Sequence, residues 1–184
     1  MNADIVLLTG SPGSGKTTTA RGLATTYAKS VHLHTDDFWH SIVSGRIAPF
    51  LPESNAQNET VMTVIQRAAW AYAAGGFVTV IDGIIGPWML HHFREPTAAV
   101  EGVGSRLHYI VLRPSRDEAL RRAQQRTAPG ALVDEAPVID LWHQFADLAS
   151  FEPHVIDTTT HCPEQTLAAV QRMIARGEAL LPRG

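Results

Sequence analysis

A glycine-rich segment near the amino terminus constrains the fold of this chain more than any other feature. Residues 10–17 read GSPGSGKT and match the pattern G-x-x-x-x-G-K-S/T at every defined position. The apolar run 4–9 before it predicts a buried strand, and residues 16–29 after it have the composition of a helix. Because the pattern requires this order of strand, turn and helix, we interpret the segment as a phosphate-binding loop rather than an ordinary glycine-rich turn.

The chemistry of such a loop follows from its residue types. Glycines let the backbone curl so that several N–H groups converge on one anion, and the helix that follows adds its positive end. Lys16 is expected to reach the β- and γ-phosphates, and Thr17 to offer a hydroxyl to Mg²⁺. The predicted nucleotide contacts are Gly10, Ser11, Pro12, Gly13, Ser14, Gly15, Lys16, Thr17 and Thr18.

The length, the net charge and the cysteine content of the chain limit the classes of protein to which it could belong. With 184 residues the chain is expected to form one domain, 1–184. A net charge of −3 argues against a nucleic-acid partner, because phosphate neutralisation requires a basic surface. The single cysteine, Cys162, excludes a disulfide within the chain and a cysteine-rich zinc module, and it is expected to be inert.

No targeting or membrane-spanning segment is evident in the sequence. The amino terminus lacks a basic region and a long apolar run, and the weakly charged stretch 68–90 is interrupted by Asp82 and by the pairs Gly75-Gly76 and Gly86-Pro87. We therefore expect a cytoplasmic protein without a membrane partner. The sequence does not determine its oligomeric state.

Apolar runs and helical patterns alternate along the chain. Strands are predicted at 4–9, 31–34, 77–81, 107–112 and 154–157. Helices are predicted at 16–29, 37–44, 57–74, 87–94, 115–126, 138–149 and 163–176, with Ser115 as the amino-terminal cap of the fifth. Five strands separated by helices predict a parallel sheet in a three-layer α/β/α fold.

Carboxylates follow the second and third predicted strands, and ligands of parallel sheets bind beyond these strand ends. Asp36 or Asp37 could accept a proton from an attacking hydroxyl, or either could cap the next helix. Asp82 ends an apolar run in the manner of a carboxylate that holds Mg²⁺ or its water, although Asp-Gly is also a common turn pair. With the phosphate-binding loop present, we favour the functional interpretation of both sites.

Five arginines fall within 14 residues: Arg113, Arg116, Arg121, Arg122 and Arg126. The first three are expected to form a solvated face paired with Asp117 and Glu118. Arg122 and Arg126 share one helix face and precede a segment rich in Ala, Gly and Pro, 127–137, which we interpret as a lid. Closure of the lid is predicted to bring both arginines onto the transferring phosphate.

A nucleotide-binding loop does not by itself specify a reaction. The guanine-reading segment Asn-Lys-x-Asp is absent from the sequence, and the chain is too small for most motor or transporter ATPases. Among proteins with such a loop, the sequence is therefore compatible with a small-molecule kinase or a stand-alone ATPase module.

With these motifs, the sequence resembles P-loop small-molecule kinases of the group around chloramphenicol phosphotransferase, gluconate kinase and shikimate kinase. The likeness covers nearly the whole chain and rests on the loop, Asp36, residues 80–83, Arg122 with Arg126, and residues 155–159. The pattern of chloramphenicol phosphotransferase is the most similar, notably from Asp157 to His161.

The resemblance implies a sheet order of 2-3-1-4-5, a small closing lid, Asp36 as the base for a substrate hydroxyl, and a loop after Asp157, including Thr158, beside the adenine. Asp37 stands where antibiotic kinases of this pattern carry a smaller residue, and residues 38–58 match nothing in it. Chloramphenicol is therefore not inferred as the acceptor.

We predict an enzyme that moves the γ-phosphate of ATP to a hydroxyl of a small molecule with Mg²⁺. Lys16, Asp36, Arg122 and Arg126 are its expected catalytic residues, and Thr17 and Asp82 its metal-binding residues. Asp37, Trp39 and Trp88 are expected at the acceptor, although core packing would also account for the tryptophans. The alternatives are a zeta-toxin-like kinase of a nucleotide sugar and a regulatory module that hydrolyses ATP without an acceptor.

The nine histidines do not predict a zinc site. His32 and His34 alternate along a strand and so share one face, and His91 and His92 are adjacent on a predicted helix. Neither pair has a supporting cysteine or a partner four residues away, as zinc sites usually show.

Overall fold

A five-stranded parallel sheet forms the centre of the structure. The protein is represented by a computed structural model that describes residues 3–49, 51–94, 104–127 and 131–182. Its strands are β1 (Ile5–Thr9), β2 (Ser30–His34), β3 (Val78–Gly83), β4 (Leu107–Arg113) and β5 (Val155–Asp157). All neighbouring pairs are parallel, in the order β2-β3-β1-β4-β5. The predicted α/β fold class and sheet order are therefore confirmed.

Helices cover both faces of the sheet. They are α1 (Lys16–Thr25), α2 (Thr35–His40), α3 (Asn55–Ala74), α4 (His91–Arg94), α5 (Arg116–Gln124), α6 (Glu135–His143) and α7 (Pro163–Arg176). Short 3₁₀ turns lie at Pro52–Ser54, Pro87–Met89 and Ala149–His154. None of the helices in the described part of the chain is both long and apolar enough to cross a lipid bilayer.

The apolar run of β1 is continuous because both of its faces are buried. Ile5 and Leu7 point into one core cluster, which includes Ile65 of α3, whereas Val6 and Leu8 point into a second cluster with residues of α1 and α7. All four are 0% exposed. Burial on both faces fixes β1 in the middle of the sheet, with the phosphate-binding loop at its carboxyl end.

Several helix ends differ from the sequence prediction. The predicted helix 138–149 is α6, which begins three residues earlier at Glu135, because Pro137 fits the first turn of a helix instead of breaking it. Neither Asp36 nor Asp37 caps α2; the cap is His34, so both aspartates lie in the first helical turn. The predicted cap at Ser115 is confirmed, since its side chain accepts a hydrogen bond from the Glu118 N–H.

The register of the sheet brings distant residues to one edge. Asp82 near the end of β3 is paired with Leu8 of β1 on one side and with His34 of β2 on the other. The end of β1, where the glycine-rich loop begins, therefore lies beside the carboxylate of β3, which in turn lies beside the last residue of β2.

Candidate active site

The glycine-rich loop joins β1 to α1 and packs closely against α5. Gly13 has a φ of +77°, and a Cβ atom there would lie 2.1 Å from the Ala119 carbonyl oxygen, so only glycine allows this approach. The Ser11 carbonyl accepts hydrogen bonds from the half-buried Lys16 ammonium, at 3.3 Å, and from the Ser14 N–H, at 3.2 Å. Among the residues that the structure describes, the buried hydroxyls of Ser11 and Ser14 have no partner. Unpaired donors in a curled loop fit an anion such as phosphate.

Thr17 and Asp82 lie together below this loop. The Thr17 hydroxyl donates to Asp82 Oδ2 at 2.5 Å, and Asp82 is 0% exposed. Burial alone would raise the pKa of Asp82, but hydrogen bonds from His32, His34 and Thr17 hold it well below its usual range. The carboxylate is therefore ionised, and a hydroxyl beside a carboxylate fits the oxygen ligands that Mg²⁺ prefers.

Two histidines contact Asp82, and the sequence alone did not predict this arrangement. His32 Nε2 lies 2.5 Å from Asp82 Oδ1, and His34 Nδ1 lies 3.1 Å from each carboxylate oxygen. The alternation of His32 and His34 along β2 indicated that they share a face. Only the pairing of β2 with β3 shows that this face is turned toward Asp82.

His34 also connects Asp82 to Asp36. Its Nε2 lies 3.5 Å from Asp36 Oδ2, and hydrogen bonds with Asp36 and Asp82 raise the pKa of His34 to about 10. The contact with His34 lowers the pKa of Asp36, so an imidazolium lies between two carboxylates at neutral pH. The close approach of β3 and α2 depends on Gly83, where a Cβ atom would lie 2.1 Å from Thr35 Oγ1.

Lys16 lies in the electrostatic field of both carboxylates. Burial lowers its pKa, while the negative charges of Asp82 and Asp36 act in the opposite direction. The charge of Arg126 also reaches Lys16 and lowers its pKa further. Lys16, Asp36, Asp82 and Arg126 therefore belong to one electrostatic group.

The residues predicted at the acceptor differ in their surroundings. The Asp36 carboxylate is 64% exposed; Asp37 is also exposed, in the same turn. Trp39 packs against the core and donates its indole N–H to Asn58 Oδ1 at 2.8 Å. Trp88 is 52% exposed and its ring lies 6.1 Å from that of Phe145. Trp88 thus offers an apolar surface to solvent, whereas Trp39 anchors α2 to α3.

The arginines of α5 have different partners. Arg122 is bound to Glu118 at 2.6 Å and donates to the carbonyls of Thr158, Thr159 and His161, which fastens α5 to the loop after β5. Arg126 follows the last turn and is exposed. As predicted, Arg116 pairs with Asp117 and Arg121 with Glu118.

For Arg113, the prediction that it belongs to a solvated arginine face paired with Asp117 and Glu118 is wrong. Arg113 lies at the end of β4 and pairs with Glu152 at 2.7 Å, because the 3₁₀ turn before β5 carries that carboxylate to the strand end. In the predicted lid, 127–137, residues 128–130 lie outside the described residues, and the last three residues form the start of α6.

A cavity of about 450 Å³ adjoins the loop, between α1, α5 and the start of α7. Its walls include Ser14, Thr18, Arg122, Thr160 and Cys162. The volume is within the range of small-molecule sites. Thr158, a predicted nucleotide contact, is fully buried beside this cavity wall, and its neighbours Thr159 and Thr160 line the cavity.

Comparison with known proteins agrees with this architecture. A family model described as an AAA domain matches residues 6–143. The chain belongs to this AAA-domain family. No curated protein matches the sequence of this AAA-domain protein significantly.

Solved structures similar to this AAA-domain protein include three kinases. A sugar kinase from Janibacter is 20% identical with a TM-score of 0.67, and 96% of this chain and 97% of that one are covered. A gluconokinase from Sinorhizobium meliloti is 13% identical (TM-score 0.68, coverage 95% and 93%). A shikimate kinase from Acinetobacter baumannii, in complex with shikimate, is 20% identical (TM-score 0.61, coverage 95% and 94%). At these identities the likeness establishes the fold, and at that level the predicted resemblance to P-loop small-molecule kinases is confirmed.

Proposed function

We propose that this protein transfers the γ-phosphate of ATP to a hydroxyl of a small molecule. The observation that carries the proposal is the chain of contacts from Asp82 through His34 to Asp36. It links Asp82, the carboxylate proposed to hold Mg²⁺, to the exposed carboxylate of Asp36. An ATPase that acts on water alone has no acceptor hydroxyl for Asp36 to orient. The kinase descriptions of the similar structures support the same reaction class.

The nucleotide side holds the phosphates. The loop backbone and the Lys16 ammonium bind the β- and γ-phosphates, and the cavity beside α5 receives the nucleoside. Thr17 and Asp82 hold Mg²⁺, which neutralises charge on the phosphates when it is bound. Arg126, whose charge already reaches Lys16, contributes to stabilising the transferring phosphoryl group.

The acceptor side orients the attacking hydroxyl. Asp36 Oδ2 faces His34, and we assign Oδ1 to the acceptor. The low pKa of Asp36 makes it a weak base in the free protein. This suits phosphoryl transfer, whose loose transition state needs an oriented hydroxyl and a late proton acceptor more than a strong base. Asp37 and Trp88 are proposed to contact the body of the acceptor.

An ATP-consumption screen tests the proposal. ADP formation is measured with sugars, antibiotics, nucleosides, polyols and nucleotide sugars, against a baseline without acceptor. We expect at least one class to raise ADP formation well above the baseline, and Lys16→Ala to abolish the increase. ADP formation that is the same with every class and without an acceptor would support the hydrolytic module instead.

A further inference from the structure

A cluster of metal-ligating side chains lies apart from the phosphate-binding loop. Glu59 of α3 approaches His91 and His92 at the start of α4, and one ligand-type atom from each lies within 4.8 Å of the others. Within the described ranges, no other group of three or more such residues meets the same criterion. The cluster adjoins both acceptor-side tryptophans, because Asn58 binds Trp39 and His91 binds the Trp88 carbonyl.

The hydrogen bond of His91 fixes which of its ring nitrogens is available. His91 Nδ1 lies 2.9 Å from the Trp88 carbonyl oxygen, which can only accept a hydrogen bond. The hydrogen is therefore on Nδ1, and Nε2 of the neutral ring carries a free lone pair. A histidine that donates its other ring N–H to a backbone carbonyl is the arrangement typical of metal ligands.

The distance between His92 and Glu59 is that expected between two ligands of one metal ion. His92 Nε2 lies 3.4 Å from Glu59 Oε2, beyond the usual length of an N–H···O hydrogen bond. Two ligand atoms bound at about 2.0–2.1 Å to one tetrahedral ion lie about 3.3–3.4 Å apart. The observed separation therefore leaves room for an ion between the two side chains.

The two imidazoles lie side by side, with their ring centroids 4.1 Å apart. They therefore present two ring nitrogens beside the Glu59 carboxylate. Imidazole nitrogens beside a carboxylate suit zinc and neighbouring transition metals, whereas Mg²⁺ prefers oxygen ligands.

We propose that Glu59, His91 and His92 form a binding site for one divalent transition-metal ion, with Zn²⁺ as the best match. The ion joins α3 to α4 across the acceptor side of the sheet, and water completes its coordination. It is distinct from the Mg²⁺ proposed at Thr17 and Asp82, because its ligand set is two imidazoles and one carboxylate. The site does not depend on the proposed phosphotransfer.

Titration of the intact protein with Zn²⁺ and Co²⁺, without nucleotide, tests this site. Calorimetry is expected to give one ion per chain, also in millimolar Mg²⁺, and Co²⁺ to give the visible absorption of a tetrahedral ion. Glu59→Gln and His92→Ala are each expected to weaken binding at least tenfold. His143→Ala removes an exposed histidine on α6 and is expected to change nothing. Thermal unfolding without metal establishes that each variant is folded.

Two results would overturn the proposal. One is the absence of stoichiometric binding to the folded wild-type protein. The other is binding that Glu59→Gln and His92→Ala leave unchanged, because the ion would then be held by other histidines or by Cys162. Either result leaves the phosphotransfer proposal intact, since no step of this experiment uses ATP.

Discussion

The two sides of the candidate active site are built differently. On the nucleotide side, eight consecutive residues, 10–17, form a cradle between β1, α1 and α5. On the acceptor side, the Asp36 carboxylate is 64% exposed and Trp88 is 52% exposed. The first region is a backbone conformation that glycine makes possible. The second is an assembly of side chains from α2, α3 and the segment after β3. The proposed nucleotide site is therefore encoded locally, and the proposed acceptor site depends on elements that only the fold brings together.

Side-chain contacts hold the acceptor side in place. Gln57 bonds both the N–H and the carbonyl of Ile47, each at 2.8 Å, and Asn58 joins the Pro49 carbonyl to the indole of Trp39. These contacts pin the segment after α2 to the first turns of α3. Under the proposed function, we expect substitutions in this region to change the acceptor without disturbing the cradle.

The largest effect is expected from Lys16→Ala, which breaks the nucleotide side. The substitution removes the cation that we propose binds the phosphates, so we expect turnover to fall about 10³-fold, with weaker Mg-ATP binding. Steady-state kinetics and calorimetry measure the two effects. The matched control is Lys29→Ala, because Lys29 lies over the Phe77 ring at 4.1 Å, away from the loop. Equal losses in both variants would contradict the assignment of Lys16.

The next largest effect is expected from Asp36→Asn, which breaks the acceptor side alone. Loss of a general base typically costs about 10²-fold in turnover, and asparagine keeps the shape of the side chain. ATP affinity is expected to stay close to the wild-type value. Asp37→Asn provides the contrast: it is expected to raise the KM for the acceptor more than it lowers kcat. If Asp37→Asn gave the larger loss of kcat, the base would be Asp37.

A third effect concerns the histidine between the two sides. The pKa of His34 is raised to about 10 in the folded protein, from 6.5 in the unfolded chain. Its stabilising contribution is therefore fully present below pH 6.5 and is lost as the pH rises through 10. By linkage, a shift of this size corresponds to about 5 kcal/mol, so we expect the free energy of unfolding to fall by up to about 5 kcal/mol over this interval because of His34.

Urea unfolding of the wild type and His34→Gln, from pH 6 to pH 10, measures this contribution. The difference between the two proteins is expected to shrink as the pH rises. A difference that is constant with pH would show that His34 is not an imidazolium between Asp36 and Asp82.

The smallest effect is expected from Arg126→Ala. Because Arg126 is exposed and its proposed contribution at the phosphate is only partial, we expect turnover to fall about tenfold, with a larger share of ATP lost to hydrolysis. Arg116→Ala is the control, since Arg116 is also exposed and pairs with Asp117. Parallel assays of ADP and phosphorylated product give both quantities. An unchanged ratio of hydrolysis to transfer would show that Arg126 is a surface residue with no role in phosphoryl transfer.

The fold could be predicted from sequence because its signals are local. The three central strands, β1, β3 and β4, are short runs made mostly of apolar residues, and the loop motif indicates where the first strand ends and the first helix begins. The start of α6 was placed late because Pro137 was interpreted as part of a loop, although the first turn of a helix accepts proline.

The polar connections of the site could not be predicted in the same way. His32 and His34 contact Asp82 across 50 and 48 residues of sequence, and the pairing depends on which strands are neighbours. Glu59 meets His91 and His92 only because α3 and α4 pack together. Such clusters carry no fixed spacing, so residue order alone does not reveal them.

Transfer of labelled phosphate from γ-labelled ATP tests the central claim most directly. Wild type and Asp36→Asn are compared with the acceptor found in the screen, and label is measured in the organic product and in inorganic phosphate. We predict that label appears mainly in a phosphate ester with the wild type, and that Asp36→Asn loses this product while it still binds ATP. Label that appears only in inorganic phosphate with every acceptor class, at equal rates in the two proteins, would contradict a phosphotransferase with Asp36 at its acceptor side.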